Sequence, residues 1–150
     1  MATKKNKKPL GNGFVSEVGS IEDSTLASML RGYKSRVAGG YRALTKEDIK
    51  SAISPGKHMV SPKVDGELWF LIMEGKDHWL GNPNGRIISG DIPLLKEATT
   101  LSNRFYNRTV LAGELFAAGK NDRARVGDLR SAMGGGKKAD VDRLGFMAFD

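Results

Sequence analysis

The sequence predicts an α+β fold built on a mainly antiparallel sheet with flanking helices. The first observation is the apolar run from Glu67 to Met73, which is too short for a typical globular helix and favours a buried strand. The second is a pair of turn signals, at residues 75–77 and 82–85, which join successive short strands tightly. Tight turns connect antiparallel neighbours, whereas parallel strands need long crossovers. A helical pattern that begins at Pro93 supplies one flanking helix.

The first 57 residues predict two lead-in segments. Residues 1–19 are rich in lysine and glycine and are expected to be a flexible basic tail. Residues 20–57 are expected to be a helical lead-in, in which Ser20 and Asp23 resemble a capping box and Gly39-Gly40 ends the first helix. A second short helix is expected to open at residues 45–48 and to stop at Pro55-Gly56.

Residues 58–150 are expected to form the main domain. Beyond the run at 67–73, alternating and apolar patterns predict the other strands at 58–60, 78–80, 86–88, 109–117 and 144–149. Helical spacing predicts helices from Pro93 to Phe105 and from Val126 to Met133.

Composition narrows the class of protein. The 150 residues are 39% hydrophobic and 27% charged, which excludes a disordered or collagen-like chain and suits one domain with a core. The absence of cysteine excludes disulfides and thiolate chemistry and fits a reducing interior, so we expect a cytoplasmic or nucleoid-associated protein. There is neither a secretory signal nor an apolar run of about 18–20 residues, so secretion and a membrane partner are not expected.

Positive charge is concentrated at one end of the chain. The formal net charge is +7, and four lysines, Lys4, Lys5, Lys7 and Lys8, lie in the first ten residues. This run is either a solvated tail or an electrostatic arm that meets phosphate. A basic balance permits nucleic acid as a partner but does not establish it.

The first motif with chemical potential is Lys63-Val64-Asp65-Gly66, between two predicted strands. A lysine amine becomes a nucleophile once it loses its proton, and Asp65 offers a carboxylate for a cation or a hydroxyl. Gly66 allows close backbone approach to a ligand. A surface turn between strands is the alternative interpretation.

Two further motifs lie in predicted strands. Glu114 sits within the apolar stretch from Leu111 to Leu115, where burial of a carboxylate is costly without a partner. Its side chain either has a functional partner or points to solvent. In the last strand, Phe146 or Phe149 is a candidate for stacking on a base, although single aromatic residues more often belong to a core.

Taken together and in this order, these motifs resemble motifs I, III and IIIa of the covalent nucleotidyltransferases, which comprise ATP-dependent DNA ligases, RNA ligases and mRNA-capping enzymes. The family pattern K-x-D-G matches Lys63, Asp65 and Gly66. Motif III matches Gly113, Glu114 and Leu115, with Ala112 in place of the usual Asp, and the aromatic motif IIIa matches residues 146–150. The resemblance covers residues 58–150 and implies an ATP-grasp-like adenylation domain.

The resemblance implies a role for each matched residue. Lys63 is expected to be the catalytic residue that becomes adenylylated by ATP, and Glu114 to contact the ribose or help to hold Mg²⁺ or Mn²⁺. AMP is then expected to pass to the 5′-phosphate of nicked DNA, with RNA as the alternative substrate, in a monomeric enzyme. The residues expected to bind the nucleotide are Ser61, Pro62, Lys63, Asp65, Gly66, Arg86, Glu114, Phe146 and Phe149.

Some features depart from the family or leave alternatives open. Leu68 stands where DNA ligases usually carry Arg, which favours an RNA ligase. The chain ends before motifs IV and V, so we expect weak or absent adenylylation in the isolated chain. A non-catalytic basic nucleic-acid-binding module is the alternative from another class. The basic stretch between motifs III and IIIa is either a phosphate contact or a solvated loop. Its cations are Arg123, Arg125, Arg130, Lys137 and Lys138.

Overall fold

A computed structural model describes residues 6–38, 40, 42–58, 62–102, 107–119 and 125–150. Within these residues the chain forms seven strands and four α-helices. The strands are β1 (Lys8–Leu10), β2 (Gly13–Val15), β3 (Glu67–Glu74), β4 (Asp77–Gly81), β5 (Ile87–Gly90), β6 (Thr109–Ala117) and β7 (Leu144–Ala148). The helices are α1 (Ser24–Ala38), α2 (Ile49–Ala52), α3 (Pro93–Ser102) and α4 (Val126–Met133).

The strands form one open sheet in the order β1-β2-β5-β4-β3-β6-β7. Every neighbouring pair is antiparallel, so the predicted α+β class and antiparallel sheet are confirmed. The predicted strand at 109–117 and the predicted helix at 126–133 have the observed bounds. The hairpin predicted around Gly75 joins β3 to β4, and Gly75 adopts the positive φ of 60° that this turn requires.

Each face of the sheet packs against different helices. On one face Trp69, Leu71 and Leu115 belong to the larger buried cluster, which includes Leu95 of α3 and Leu129 of α4. On the other face, the smaller cluster is formed by side chains from β3, β6 and α1: Leu26, Leu30, Phe70, Ile72 and Ala112. Because successive side chains of a strand point to opposite faces, one face of the sheet lies under α3 and α4 and the other under α1.

The N-terminal segment differs from the predicted flexible tail. Residues 8–15 form the β1–β2 hairpin, and β2 pairs with β5 through Val15 and Ile88. Leu10 is completely buried in the larger cluster, which is why this basic segment is held to the sheet. The prediction is therefore wrong for residues 8–15, while Lys4 and Lys5 lie outside the described residues.

Smaller differences concern the ends of elements. Helix α1 is capped by Asp23, whose Oδ1 accepts a hydrogen bond from the backbone N–H of Leu26 at 2.9 Å, so the predicted cap at Ser20 is wrong. His58 is not in a strand, and the other two residues of the strand predicted at 58–60 lie outside the described residues. Likewise, α3 ends at Ser102, and Phe105 is not described.

Candidate functional site

Gly66 and Glu114 are held together where β3 begins. Leu68 pairs with Glu114 across the antiparallel β3–β6 ladder, which places the Glu114 side chain on the face covered by α1. The backbone N–H of Gly66 donates to Oε1 of Glu114 at 3.1 Å. The half-buried carboxylate therefore has a backbone partner, which reduces the cost of its burial.

The requirement for glycine at position 66 is steric. A Cβ atom on Gly66 would lie 2.1 Å from the carbonyl oxygen of Leu115 and 2.9 Å from its carbonyl carbon. Both are backbone atoms of a central strand, so neither can move aside cheaply. The close approach of this loop to β6 brings the chain that carries Lys63 beside Glu114.

Lys63 and Asp65 lie on the loop that leads into β3. Nζ of Lys63 is 3.9 Å from Oδ1 of Asp65, and the two side chains are 89% and 54% exposed. An ion pair this exposed contributes little to stability. Because the Lys63 side chain is exposed, its amine is accessible to a ligand. Pro62 is exposed beside them, and Ser61 lies outside the described residues.

Lys63, Gly66 and Glu114 line a cleft of about 510 Å³, which we call the Lys63 cleft. Its walls come from the loop before β3, from β6, from the residue after β7 and from α1. The lining residues are Tyr33, Lys34, Val37, Lys63, Gly66, Glu67, Leu68, Glu114 and Phe149. The structure therefore brings together Lys63 and Gly66 of the first sequence motif, Glu114 of the second and Phe149 of the third.

The two candidate aromatic residues lie on opposite faces of the sheet. Phe146 pairs with Leu115 and packs against the larger buried cluster, under α3 and α4. Phe149 is half exposed and lines the Lys63 cleft. Of these two residues, Phe146 therefore belongs to the core, and Phe149 lies in the Lys63 cleft.

Arg86 does not line the Lys63 cleft. It borders a second cleft of about 330 Å³, the arginine cleft, together with Arg130 and the apolar side chains of Val15, Leu129 and Met133. Nε of Arg86 donates to the backbone oxygen of Ser16 at 3.4 Å. Glu67 lines both clefts, so the two are adjacent.

The other predicted basic residues are spread along the segment that follows β6. Arg125 is exposed, and its backbone N–H donates to Asp128 Oδ2 at 3.1 Å, which caps α4. Lys137 and Lys138 are exposed in a single 3₁₀ turn after Gly135. Arg123 lies outside the described residues.

Helix α1 supplies a wall of the Lys63 cleft that the motifs do not indicate. Tyr33 donates from Oη to Oδ2 of Asp150 at 2.7 Å, and its ring meets Phe70 edge-on with centroids 5.2 Å apart. Lys34 and Val37 line the cleft on the same helix. The sequence signal was present, because Leu26, Leu30, Tyr33 and Val37 recur at helical spacing and so mark the face of α1 that meets the sheet.

An ion-pair network holds the start of α1 over the sheet. Arg108 contacts Asp23 at 2.5 Å and Glu74 at 2.9 Å. The pKa of Asp23 is lowered, first because the backbone N–H of Leu26 donates to the carboxylate and then because Arg108 lies beside it. Hydrogen bonds to Asp23 and Glu74 raise the pKa of the Arg108 guanidinium.

The described residues contain no cluster of three or more histidine and acidic side chains placed to hold a metal ion. None of the described helices combines the length and the apolar character needed to cross a bilayer. No protein-family model, curated protein or solved structure matches the chain.

Proposed function

We propose that the chain is the adenylation region of an ATP-dependent polynucleotide ligase, with Lys63 as the nucleophile and nicked DNA as the favoured substrate. The observation that carries the proposal is that Lys63, Glu114 and Phe149 line one cleft, although the motifs that contain them are far apart in sequence. A core-packing role explains none of the three, because Lys63 and Phe149 are exposed and Glu114 is a carboxylate.

The cleft fits the parts of an adenosine nucleotide. The exposed ring of Phe149 offers a stacking surface for adenine, and the carboxylate of Glu114 offers an acceptor for ribose hydroxyls. Lys63 and Lys34 offer positive charge for the phosphates. Glu114 in the cleft and Asp65 on the loop beside Lys63 carry carboxylate oxygens that would suit Mg²⁺ or Mn²⁺, and Mg²⁺ commonly binds through one or two carboxylates together with substrate phosphates.

The proposed step is a nucleotidyl transfer. Once its ammonium group has lost a proton to solvent, Nζ of Lys63 attacks the α-phosphorus of ATP. An Nζ–P bond forms, the bond between that phosphorus and the oxygen that bridges to the β-phosphate breaks, and pyrophosphate leaves with the electron pair. The nitrogen then loses a second proton to solvent, which leaves the lysyl-AMP phosphoramidate. Catalysis of this kind depends mainly on in-line placement and charge neutralisation, because the protein has little covalent chemistry to perform.

An RNA substrate is the second candidate within the same chemistry. Leu68 lines the Lys63 cleft at the position where the family's DNA ligases usually carry Arg. An apolar side chain there removes one cation from the cleft. Comparing the sealing of nicked DNA with that of nicked RNA by the same preparation decides between the two substrates.

Covalent labelling tests the proposal directly. The chain is incubated with α-labelled ATP and Mg²⁺, denatured and digested, and the label is located by mass spectrometry. We expect the label on Lys63, its loss in Lys63→Ala and its retention in Lys57→Ala, which removes an exposed lysine six positions earlier in the chain.

Protection by bound ATP provides a second readout, which does not depend on turnover. Bound ATP is expected to slow the acetylation of Lys63 by an amine-reactive reagent, while Lys57 reacts at an unchanged rate. A chain that shows neither label nor protection at Lys63 is not a nucleotidyltransferase, and the non-catalytic nucleic-acid-binding module then replaces the proposal.

A further inference from the structure

Two adjoining clefts place basic side chains from distant parts of the sequence side by side. The arginine cleft contains Arg86 and Arg130. A neighbouring cleft of about 420 Å³, formed by the β1–β2 hairpin, contains Lys8 and again Arg86. Val15 also lines both clefts, so the two clefts adjoin beside β2.

The 3₁₀ turn after Gly135 carries two more cations, Lys137 and Lys138, and it contacts the hairpin. The backbone N–H of Gly11, in the hairpin, donates to the carbonyl of Gly136 at 2.8 Å. This contact fixes the turn that carries Lys137 and Lys138, both exposed, against the hairpin that carries Lys8. We call the group formed by Lys8, Arg86, Arg130, Lys137 and Lys138 the basic surface.

Acidic residues offset only part of this charge. The two carboxylates that line the clefts belong to Glu17 and Glu67. Glu17 is 3.6 Å from Lys8 in a pair whose side chains are 50% and 72% exposed, so the pair is weak and Lys8 can exchange it for another anion. Glu67 accepts a hydrogen bond from Nε1 of Trp69 at 3.3 Å. The basic surface therefore keeps an excess of positive charge.

We propose that the basic surface binds the sugar–phosphate backbone of the double-stranded nucleic acid whose 5′-phosphate receives AMP, an inference that rests on the proposed function. Its position supports this partner, because Glu67 borders both the arginine cleft and the Lys63 cleft and so connects the two. Phosphates repeated along a strand match cations spread over several elements better than a single small anion does.

Salt dependence of binding distinguishes direct phosphate contacts from a general effect of charge. Binding of the full chain to a fluorescent nicked DNA duplex is measured by anisotropy at several salt concentrations. The test variant is Lys8→Gln/Lys137→Gln/Lys138→Gln. The matched control is Lys46→Gln/Lys50→Gln/Lys76→Gln, which removes three exposed lysines outside both clefts and lowers the formal net charge equally, from +7 to +4.

Each phosphate contact contributes about 0.9 to the slope of log K against log salt, so the test variant is expected to have a slope shallower by about 2.7. The control variant is expected to keep the wild-type slope. Equal slopes in the two variants overturn the proposal. So does equally tight binding of poly-glutamate or of vesicles containing phosphatidylserine, since either result would assign the surface to an acidic peptide or a membrane.

Labelling of Lys63 in the wild-type chain separates this proposal from the proposed function. If Lys63 is neither labelled nor protected while the slopes differ as expected, the basic surface binds nucleic acid and the nucleotidyltransferase proposal fails. If Lys63 is labelled but the two variants behave alike, the basic surface has no such role and the nucleotidyltransferase proposal is unaffected.

Discussion

Gly66 has no room for a side chain, because β6 passes directly against its α-carbon. A Cβ atom there would lie 2.1 Å from the Leu115 carbonyl oxygen, so Gly66→Ala must displace the loop from β6. Overpacking of this kind costs about 1–3 kcal/mol, and we expect the free energy of unfolding in urea to fall by that amount. Labelling of Lys63 is expected to fall with it, because the hydrogen bond from Gly66 to Glu114 is lost.

Gly127 provides the matched control for this substitution. A Cβ atom on Gly127 would meet nothing within 4 Å, and the residue lies within α4. Gly127→Ala is therefore expected to be neutral or to stabilise by up to about 1 kcal/mol, through helix propensity alone. If both variants unfold at the same urea concentration, the close approach of the loop to β6 does not constrain this position.

Lys34 is expected to distinguish ATP from AMP. It lines the Lys63 cleft, and among the described residues no carboxylate forms an ion pair with it. A hydrogen bond from an ammonium to a β- or γ-phosphate is worth about 1.5–3 kcal/mol. We therefore expect Lys34→Gln to weaken ATP binding about tenfold or more and to leave AMP binding nearly unchanged.

Calorimetry in the Lys63→Ala background measures both affinities without covalent turnover. Lys50→Gln, which removes an exposed lysine on α2 outside the cleft, is the control and is expected to bind both nucleotides normally. An equal loss of ATP and AMP affinity in Lys34→Gln would mean that α1 supports the cleft without contacting the outer phosphates.

Individual residues also show where sequence patterns were insufficient. Lys63 and Gly66 were singled out because they fit the pattern K-x-D-G, and Glu114 because a carboxylate in an apolar strand is costly to bury. Lys34 carries no such signal, since a lysine beside the apolar stripe of a helix is ordinary. Lys34 lines the cleft because of the way α1 crosses the sheet, and a local sequence pattern does not determine that crossing.

At the scale of elements, the start of α1 is held by the carboxylate of Asp23. The pKa of this group is lower in the folded chain than in the unfolded chain, where it is about 3.9. Its contribution to stability is therefore complete above the unfolded pKa and is lost as the pH falls through the folded value. We expect Asp23→Asn to lower the unfolding free energy at pH 7, and we expect its difference from wild type to shrink below about pH 4.

Urea unfolding between neutral and acidic pH checks this prediction. The control is Asp142→Asn, because the carboxylate of Asp142 forms no hydrogen bond or ion pair among the described residues. Its difference from wild type is expected to change little over the same range. A difference for Asp23→Asn that persists unchanged in acid would mean that the lost interactions do not depend on ionisation.

How well a strand or helix could be predicted depends on whether the pattern that determines it is local in the sequence. Strand β6 and helix α4 match their predicted bounds because their apolar periodicity is local. The choice between Phe146 and Phe149 was not predictable, because alternation places them on opposite faces without saying which face carries the cleft. The register of β7 against β6, together with the position of α1, determines which of the two side chains lies in the cleft.

At the scale of the whole molecule, the hairpin of β1 and β2 extends the sheet by two strands. Each strand has three residues, and only Leu10 and Val15 reach the larger cluster, so the segment resembles a basic tail in the sequence. Its pairing with β5 joins residues far apart along the chain. Gly13 is needed there, since a Cβ atom would lie 2.7 Å from the backbone carbonyl oxygen of Ser89.

Truncation of Leu10 tests whether the hairpin folds with the sheet. Leu10 is completely buried, so Leu10→Ala is expected to lower the unfolding free energy by about 2–5 kcal/mol in a single cooperative transition. Val18→Ala is the control: its side chain is 67% exposed, and a change within about 0.5 kcal/mol is expected. Because β1 reaches β5 only through β2, equal stabilities of the two variants would mean that residues 8–15 do not belong to the cooperative unit, and the basic surface would then lose the fixed position of Lys8.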